Sequence, residues 1–385
     1  MTLEDKIEKK LSEGSDIQEL DFRKILADIE KRTILDISRM DGKFPYYGRG
    51  KEYILTDNRT WVSGYWTAWL WRMYQVTGNE SFRETASLHY EGYSHRFNTK
   101  DIHCHDVGVI YDLAAVTGYK VTGEDRWRHL ALRAASALST RFITPGNYLQ
   151  AWGPAFSEDP HFARTIIDSL CCIPLWFWAS KETGDEYFRN LAALQAETVL
   201  KRLVMEDWSS GHSHTFEPGS GKPIRIEAVQ GKGNDSTWSR GESWGIMGFA
   251  EAYENTGDER FLDAALNMLT WWLDHTDSSM VPPWDFDVPE ENVDTSALTI
   301  AINGMLRLAG IEKLDAHLRE ELKKLAIHSM KNLIARYGTF DDESQWGLLK
   351  GGVYSYPENR GVDEFMIWGD YYFIVDLMLL LGYES

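Results

Sequence analysis

Apolar residues return every three to four positions over long stretches of this chain, the spacing of one helix face. "WTAWLWRMYQVTG" (66–78), "WGIMGFAEAYENTG" (244–257), "FLDAALNMLTWWLDHT" (261–276), "DTSALTIAINGMLRLAG" (294–310), "LREELKKLAIHSMKNLIARYG" (318–338) and "WGDYYFIVDLMLLLG" (368–382) all read this way. Between such segments a short polar signal recurs: "TGNESF" from Thr77, "TGEDRW" from Thr122, "TGDEYF" from Thr183 and "TGDERF" from Thr256. The glycine suits the left-handed residue that ends a helix, and the acidic residues after it suit the positive start of the next. The pattern therefore predicts helix, Thr-Gly turn, helix, repeated. The glycines fall 45, 61 and 73 residues apart, so the repeats carry insertions of unequal length.

Two kinds of helix are expected. Some segments are amphipathic; others, such as "TIIDSLCCIPLWFWA" (165–179), are apolar nearly all round and belong inside. Roughly twelve helices in hairpins close a ring when there are six pairs, so the expected fold is all-α, an (α/α)6 toroid with amphipathic outer and apolar inner helices. Pro174 inside the apolar segment predicts a kink or a late helix start. Strand signal is confined to short loop ribbons such as "SHTFEPGSGKPIRIEAV", with turn residues at its centre. No linker rich in Pro, Gly or Ser divides the chain. A single domain over residues 1–385 is expected, with residues 1–30 a helical N-terminal extension.

Composition narrows the function. A net charge of −19 argues against nucleic acid or an anionic membrane surface as the main partner. No run reaches the ~18 apolar residues of a membrane span, and "MTLEDKIEKKLSEGSD" lacks an apolar signal region, so a cytoplasmic protein is expected, or a periplasmic one if a signal peptide was removed. The three cysteines, two of them adjacent, fit a reducing compartment rather than a disulfide framework. The aromatic count, 16 Trp, 18 Tyr and 16 Phe, is unusual; many belong to a large core, and tryptophan in loops and at helix ends is also what sugar clefts use.

Four stretches carry candidate chemistry. Asp168 is the one charge between Ile166 and Ala179. Such a carboxyl either pairs with Arg164 or caps a helix, or has its pKa raised by apolar walls and donates a proton near neutrality. In "DIHCHDVG", Asp106 either caps a helix start or serves a site. His103 and His105, with His212 and His214 in "GHSHTF", raise a zinc reading, although metal-site H-x-H pairs usually sit on strands and these surroundings are helical. In "QGKGNDSTWSRGESWGIMG" (230–248), Arg240 stands between Trp238 and Trp244; it suits a planar carboxylate on a ring-shaped ligand, or pairs with Glu242. Trp61 in "DNRTWVSGYW" precedes a helix and either lines a cleft mouth or joins the core.

The ordered set "WVSGYW", "HDVG", "QAWGP", "RTIIDSL", "HTF", "STWSRGESWG", "VPPWDF" and "IWGDYYF" resembles glycoside hydrolase family 88, the unsaturated glucuronyl hydrolases, from about residue 45 to about 380. The resemblance implies a six-hairpin α/α barrel without metal or organic cofactor. It also implies hydrolysis of the unsaturated uronic acid that polysaccharide lyases leave at the non-reducing end of an oligosaccharide. The family's catalytic aspartates match Asp106 and Asp168. Its ligand-contacting positions match Trp61, His105, His214, Gln230, Trp238, Arg240 and Trp244, and Ser355 stands at a further substrate-binding position where some members carry histidine. In that chemistry Asp168 protonates the substrate and then takes a proton from water, Asp106 holds sugar hydroxyls, Gln230 and His214 position water and hydroxyls, and Arg240 binds the uronate. The chain departs from common family residues at Val229, Glu242 and Ser355. Gly352 and Pro357 stand in the window where members preferring sulfated substrates carry a serine and a lysine. These differences leave the upstream polymer open. The sister family acting on unsaturated galacturonyl–rhamnose shares the fold and chemistry, and is the nearest alternative.

Overall fold

The computed structural model describes residues 1–14, 20–289 and 291–384. Helix α1 (Leu3–Glu13) lies against the outside of the barrel. The first hairpin pairs α2 (Phe22–Met40) with α3 (Ser63–Thr77), joined through strands β1 (Phe44–Arg49) and β2 (Glu52–Thr56). The second pairs α4 (Glu80–Leu88) and α5 (Tyr90–Arg96) with a composite inner helix: α6 (Val107–Tyr111), a π turn at Asp112–Val116, and α7 (Thr117–Thr122). The third pairs α8 (Asp125–Ser139) with α9 (Pro174–Thr183), connected by β3 (Phe142–Ile143), β4 (Tyr148–Leu149), β5 (Arg164–Ile166) and a 3₁₀ turn at Ile167–Cys171. The fourth pairs α10 (Glu186–Leu203) with α11 (Ser239–Thr256) through β6 (Ser213–Phe216) and β7 (Pro223–Glu227). The last two pair α12 (Glu259–His275) with α13 (Thr295–Gly310), and α14 (Ala316–Tyr337) with α15 (Ile367–Leu380) through β8 (Gly352–Ser355) and β9 (Arg360–Glu364).

The inner segments pack in order, α3 on the composite second inner helix, that helix on α9, the 3₁₀ turn before α9 on α11, α11 on α13 and α13 on α15, and α15 returns to α3, so the inner ring closes into the expected (α/α)6 toroid. Inner helices are buried nearly all round, as their uniform hydrophobicity requires: α3 is buried continuously from Ser63 to Met73, and α13 from Thr295 to Met305. One contiguous core runs from Ile7 to Met378. The expected boundary of the N-terminal extension at residue 30 falls inside α2, which packs on α3 and α15; α1 alone lies outside, on α12 and α14. Residues 15–19 of that extension, and Ser385 at the end of the expected domain, lie outside the described residues.

The Thr-Gly signal closes one end of the barrel. Gly78, Gly123, Gly184 and Gly257 adopt φ of 68–74° and end α3, α7, α9 and α11, each returning its N–H to a carbonyl four residues back. The threonine has its own task. Thr77, Thr122, Thr183 and Thr256 each donate Oγ1–H to the carbonyl four residues earlier and accept the N–H two residues later. That hydroxyl bridges the end of one helix to the start of the next. The four Thr-Gly turns are short. The longer connections, by contrast, run from outer to inner helices and gather at the opposite end, over the inner-helix N-termini.

Candidate active site

At that end a cleft of ≈ 220 Å³ is lined by Trp61, His105, Asp106, Trp152, Ile166, Asp168, Cys171, His212, Val229, Gln230 and Tyr354. Both aspartates lie just before inner-ring segments: Asp106 precedes α6, and Asp168 is the second residue of the 3₁₀ turn before α9. Asp168 is therefore not within a helix. Pro174 takes the first position of α9, so the apolar segment starts late, and the preceding turn presents the carboxyl at the cleft floor. Gly108 brings the two aspartates' segments together: a Cβ there would stand 2.3 Å from the carbonyl oxygen of Cys172. Gly64 does the same between α3 and α6, where a Cβ would meet Ile110 at 2.7 Å.

Burial pushes the Asp168 carboxyl up to about 7; the Arg240 charge pulls it back, and the Asp106 carboxylate pushes it further up. Its side chain keeps 19 % of its surface, and Oδ2 has no hydrogen-bond partner. Trp244 lies beside it with its own N–H unbonded. Arg164, the alternative partner, instead pairs with Glu227 at 3.2 Å. Asp106 accepts from the Cys104 thiol and stands 3.4 Å from His105 Nε2.

His212 is the histidine that faces Asp168, with Nε2 3.8 Å from Oδ2. Its Nδ1 accepts the backbone N–H of Gln230 at 3.1 Å and of Val229 at 3.3 Å. Two donors on Nδ1 leave the proton on Nε2, aimed at the aspartate. The ring stacks on Trp238 at 4.4 Å, and burial holds its pKa down at about 3, so it is neutral. His214, expected to position water and hydroxyls, lies within β6 opposite Thr165 and Ile226, packs on Phe216, and does not line the cleft.

Arg240 is placed differently from expectation. Its guanidinium is 1 % exposed and its donors are taken within the protein: Nη1 by Asp294 (2.6 Å) and the Val353 carbonyl (2.5 Å), Nη2 by the Tyr354 carbonyl (2.7 Å) and Gln230 Oε1 (3.4 Å). Trp238 and Trp368 flank it at 4.4 and 5.0 Å. Neither a Glu242 pair nor a free uronate donor results. Arg240 is a buried strut that fixes the Tyr354 backbone and the Gln230 amide oxygen. Glu242 is itself buried without hydrogen-bonded oxygens, and burial raises its pKa well above the usual carboxylate range.

Of the remaining expected residues, Trp61, His105 and Gln230 line the cleft. Trp61 reaches Tyr354 Oη at 3.4 Å and packs on Trp368 at 4.9 Å. Trp238 and Trp244 form walls behind it, and Ser355 is 2 % exposed with an unpartnered hydroxyl. Tyr354, Trp152 and His212 are cleft residues that the sequence reading did not select. The four histidines do not gather into a metal site: His103 is exposed, and His214 lies off the cleft. Among the described residues the one cluster of metal-ligating side chains is Cys104, His105 and Asp106, and there burial and the Asp106 charge keep the thiol protonated. A second cavity of ≈ 420 Å³ at the Thr-Gly end holds neither catalytic candidate.

No protein-family model matches the chain. It is 33% identical over 365 residues, 93% of its length and 96% of the relative's, to the unsaturated glucuronyl hydrolase of Bacillus sp. strain GL1. The solved structure of that enzyme, described as responsible for the degradation of glycosaminoglycan, superposes with a TM-score of 0.90 at 32% identity, covering 94% of this chain and 97% of the other. A Streptococcus pneumoniae unsaturated chondroitin disaccharide hydrolase is 32% identical over 332 residues, 85% of this chain and 83% of the relative.

Proposed function

Since this chain belongs to the unsaturated glucuronyl hydrolases, we propose that it removes the 4,5-unsaturated glucuronic acid from the non-reducing end of lyase-generated oligosaccharides, by hydrating the enol-ether double bond with Asp168 as the acid. The observation that carries the reading is the Asp168 carboxyl, held protonated near neutrality by burial and by Asp106, lining a cleft with its buried Oδ2 free of hydrogen-bond partners.

Protonation of carbon 4 by Asp168 builds oxocarbenium character at carbon 5 and the ring oxygen. The resulting Asp168 carboxylate then accepts a proton as water adds to carbon 5. The hemiketal opens and the aglycone leaves without attack at the anomeric carbon, so the carboxylate-separation rule for ordinary glycosidases does not apply. The neutral His212 Nε2–H points at the Asp168 oxygen and stabilises the carboxylate that forms. Asp106 is suited to hold the sugar hydroxyls, and its charge favours the proton on Asp168 before reaction. Gln230, its amide oxygen turned toward Arg240, presents its NH₂ as a donor. Trp61, Trp152 and Tyr354 offer ring faces to the sugars. The cleft lies at the end of the barrel where the inner helices begin, a positive end that favours the uronate carboxylate. No helix of the described residues is long and apolar enough to cross a membrane.

The test is to follow the ultraviolet absorbance of an unsaturated glucuronyl disaccharide together with release of the second sugar. The reading predicts that the absorbance falls as the second sugar appears. Release of the second sugar with the double bond intact would overturn it.

A further inference from the structure

The three-stranded sheet β5-β6-β7 joins the cleft to a neighbouring cavity. Ile166 lines the cleft, and side chains alternate along a strand, so Arg164 shares its face. The register carries that face across the sheet: Arg164 opposite Thr215 and then Arg225, Ile166 opposite Ser213 and then Glu227. Arg164, Thr215, Arg225 and Glu227 border a cavity of ≈ 240 Å³, with His161 beside them. The two cavities share a wall. The Arg164 guanidinium lies 5.4 Å over the Trp152 ring, and Trp152 lines the cleft. Neighbouring strands are about 4.8 Å apart, so Arg225 stands about 10 Å across the sheet from Arg164.

The charges there are unequal. Arg164 and Arg225 both rest on one carboxylate, Glu227, at 3.2 and 2.5 Å, which leaves one positive charge over in a chain of net charge −19. Arg164 is held in place at 8 % exposure, while the Arg225 side chain is 65 % exposed and can turn toward a ligand. Ile224 and Phe216 add apolar surface to the same cavity. Guanidinium beside apolar surface suits a pyranose carrying an acidic group, and nothing in the Asp168 chemistry uses these residues.

We infer that this cavity is a distal subsite for an anionic sugar beyond the second residue of the substrate, with Arg225 as its main contact. The inference rests on the proposed activity, and it makes the protein a hydrolase that favours longer acidic oligosaccharides over disaccharides. The carboxylate of a uronate and a sulfate ester share the required chemistry.

The test compares kcat/KM on three substrates: an unsulfated unsaturated disaccharide, its tetrasaccharide with a glucuronate as third sugar, and the tetrasaccharide dGlcA-Glc-Rha-Glc, whose third sugar is neutral. A fourth substrate, the acidic tetrasaccharide sulfated on its third sugar, separates the two anion sources. The expected advantage of the acidic tetrasaccharide over the disaccharide is about tenfold, one charge-assisted contact. Arg225→Ala should bring it within about twofold of the disaccharide while leaving disaccharide turnover unchanged, and Arg225→Lys should retain part of the advantage. The neutral tetrasaccharide should be indifferent to both substitutions. Equal rates on acidic tetrasaccharide and disaccharide, or an advantage that survives Arg225→Ala, would overturn the subsite. Turnover of the disaccharide itself reads the proposed activity and is scored separately.

Discussion

The Nε2 of His212 stands 3.8 Å from Oδ2 of Asp168, and the backbone N–H groups of Val229 and Gln230 converge on its other ring nitrogen. The loop before α11 therefore sets the histidine tautomer, and the tautomer sets what Asp168 meets. His212→Ala is expected to lower kcat by about tenfold, the loss of a neutral N–H dipole that at 3.8 Å lies beyond hydrogen-bond distance of the carboxyl but faces the charge that develops on it. The histidine is neutral across pH 5–9, so its removal should not move the pH midpoint set by Asp168 by loss of a charge. Wild-type kcat in a folded His212→Ala protein would remove His212 from the mechanism.

Asp168 has to be protonated to act as the acid, and its pKa lies at about 7. The expected kcat/KM profile on an unsaturated disaccharide is flat on the acid side of that value and falls about tenfold per pH unit above it. A profile that rises with pH through 7 would contradict the assignment.

The same shift has a stability sign. A carboxyl whose pKa is raised on folding binds its proton more tightly in the native state, so its contribution is fully present below the unfolded value of about 4. That contribution is lost as pH rises to about 7. Replacing it with a neutral amide removes the cost of a buried charge, of order 2–4 kcal/mol at pH 8. Asp168→Asn should therefore raise Tm relative to wild type at pH 8 and change it little at pH 4. Differential scanning at the two pH values would show the difference.

Arg240 and Asp294 form a buried pair at 2.6 Å, at 1 % and 0 % exposure. Asp294 also caps α13, accepting from Ser296 N and Oγ, and takes the Val353 N–H. Arg240→Ala leaves this carboxylate uncompensated and should cost about 3–5 kcal/mol of stability. Arg240→Met combined with Asp294→Asn should recover much of that loss in a denaturant melt. Had Arg240 been a free uronate ligand, the single substitution would raise KM and spare stability.

Gly108 holds the Asp106 and Asp168 segments in contact through Cys172. Gly108→Ala should lower kcat by about tenfold or more, since small displacements of reacting groups are expensive. It should also destabilise the protein by about 1–3 kcal/mol through overpacking. Activity at the wild-type level would show that the two segments can part without consequence.

The fold was legible because its signals are local. The Thr-Gly-acid turn names a helix end and the next helix start within six residues, and the uniformly apolar segments name the inner ring. The order and spacing of motifs, meanwhile, located both aspartates. What failed was whatever depends on distant partners. Arg240 lies two residues from Glu242 in sequence, but its counter-ion Asp294 is 54 residues away, at the start of the neighbouring inner helix α13. His212 and His214 look equivalent as an H-x-H pair. The close of β6 against β5 and β7 sends one to the cleft and the other into the sheet. Trp152 sits in an irregular connection and Tyr354 in a four-residue strand, both too short to carry a period to read. Pro174 announced a late helix start, and with it the turn that presents Asp168.

The central claim is that Asp168 supplies the proton that hydrates the double bond. The most direct measurement is the rate of absorbance loss from an unsaturated glucuronyl disaccharide at pH 6, for wild type and for a folded Asp168→Asn protein. An amide keeps the shape and cannot serve as the acid, and the same group is also the base. The account predicts a fall of at least two to four orders of magnitude. A variant that retains a tenth of the wild-type rate would show that another group protonates carbon 4.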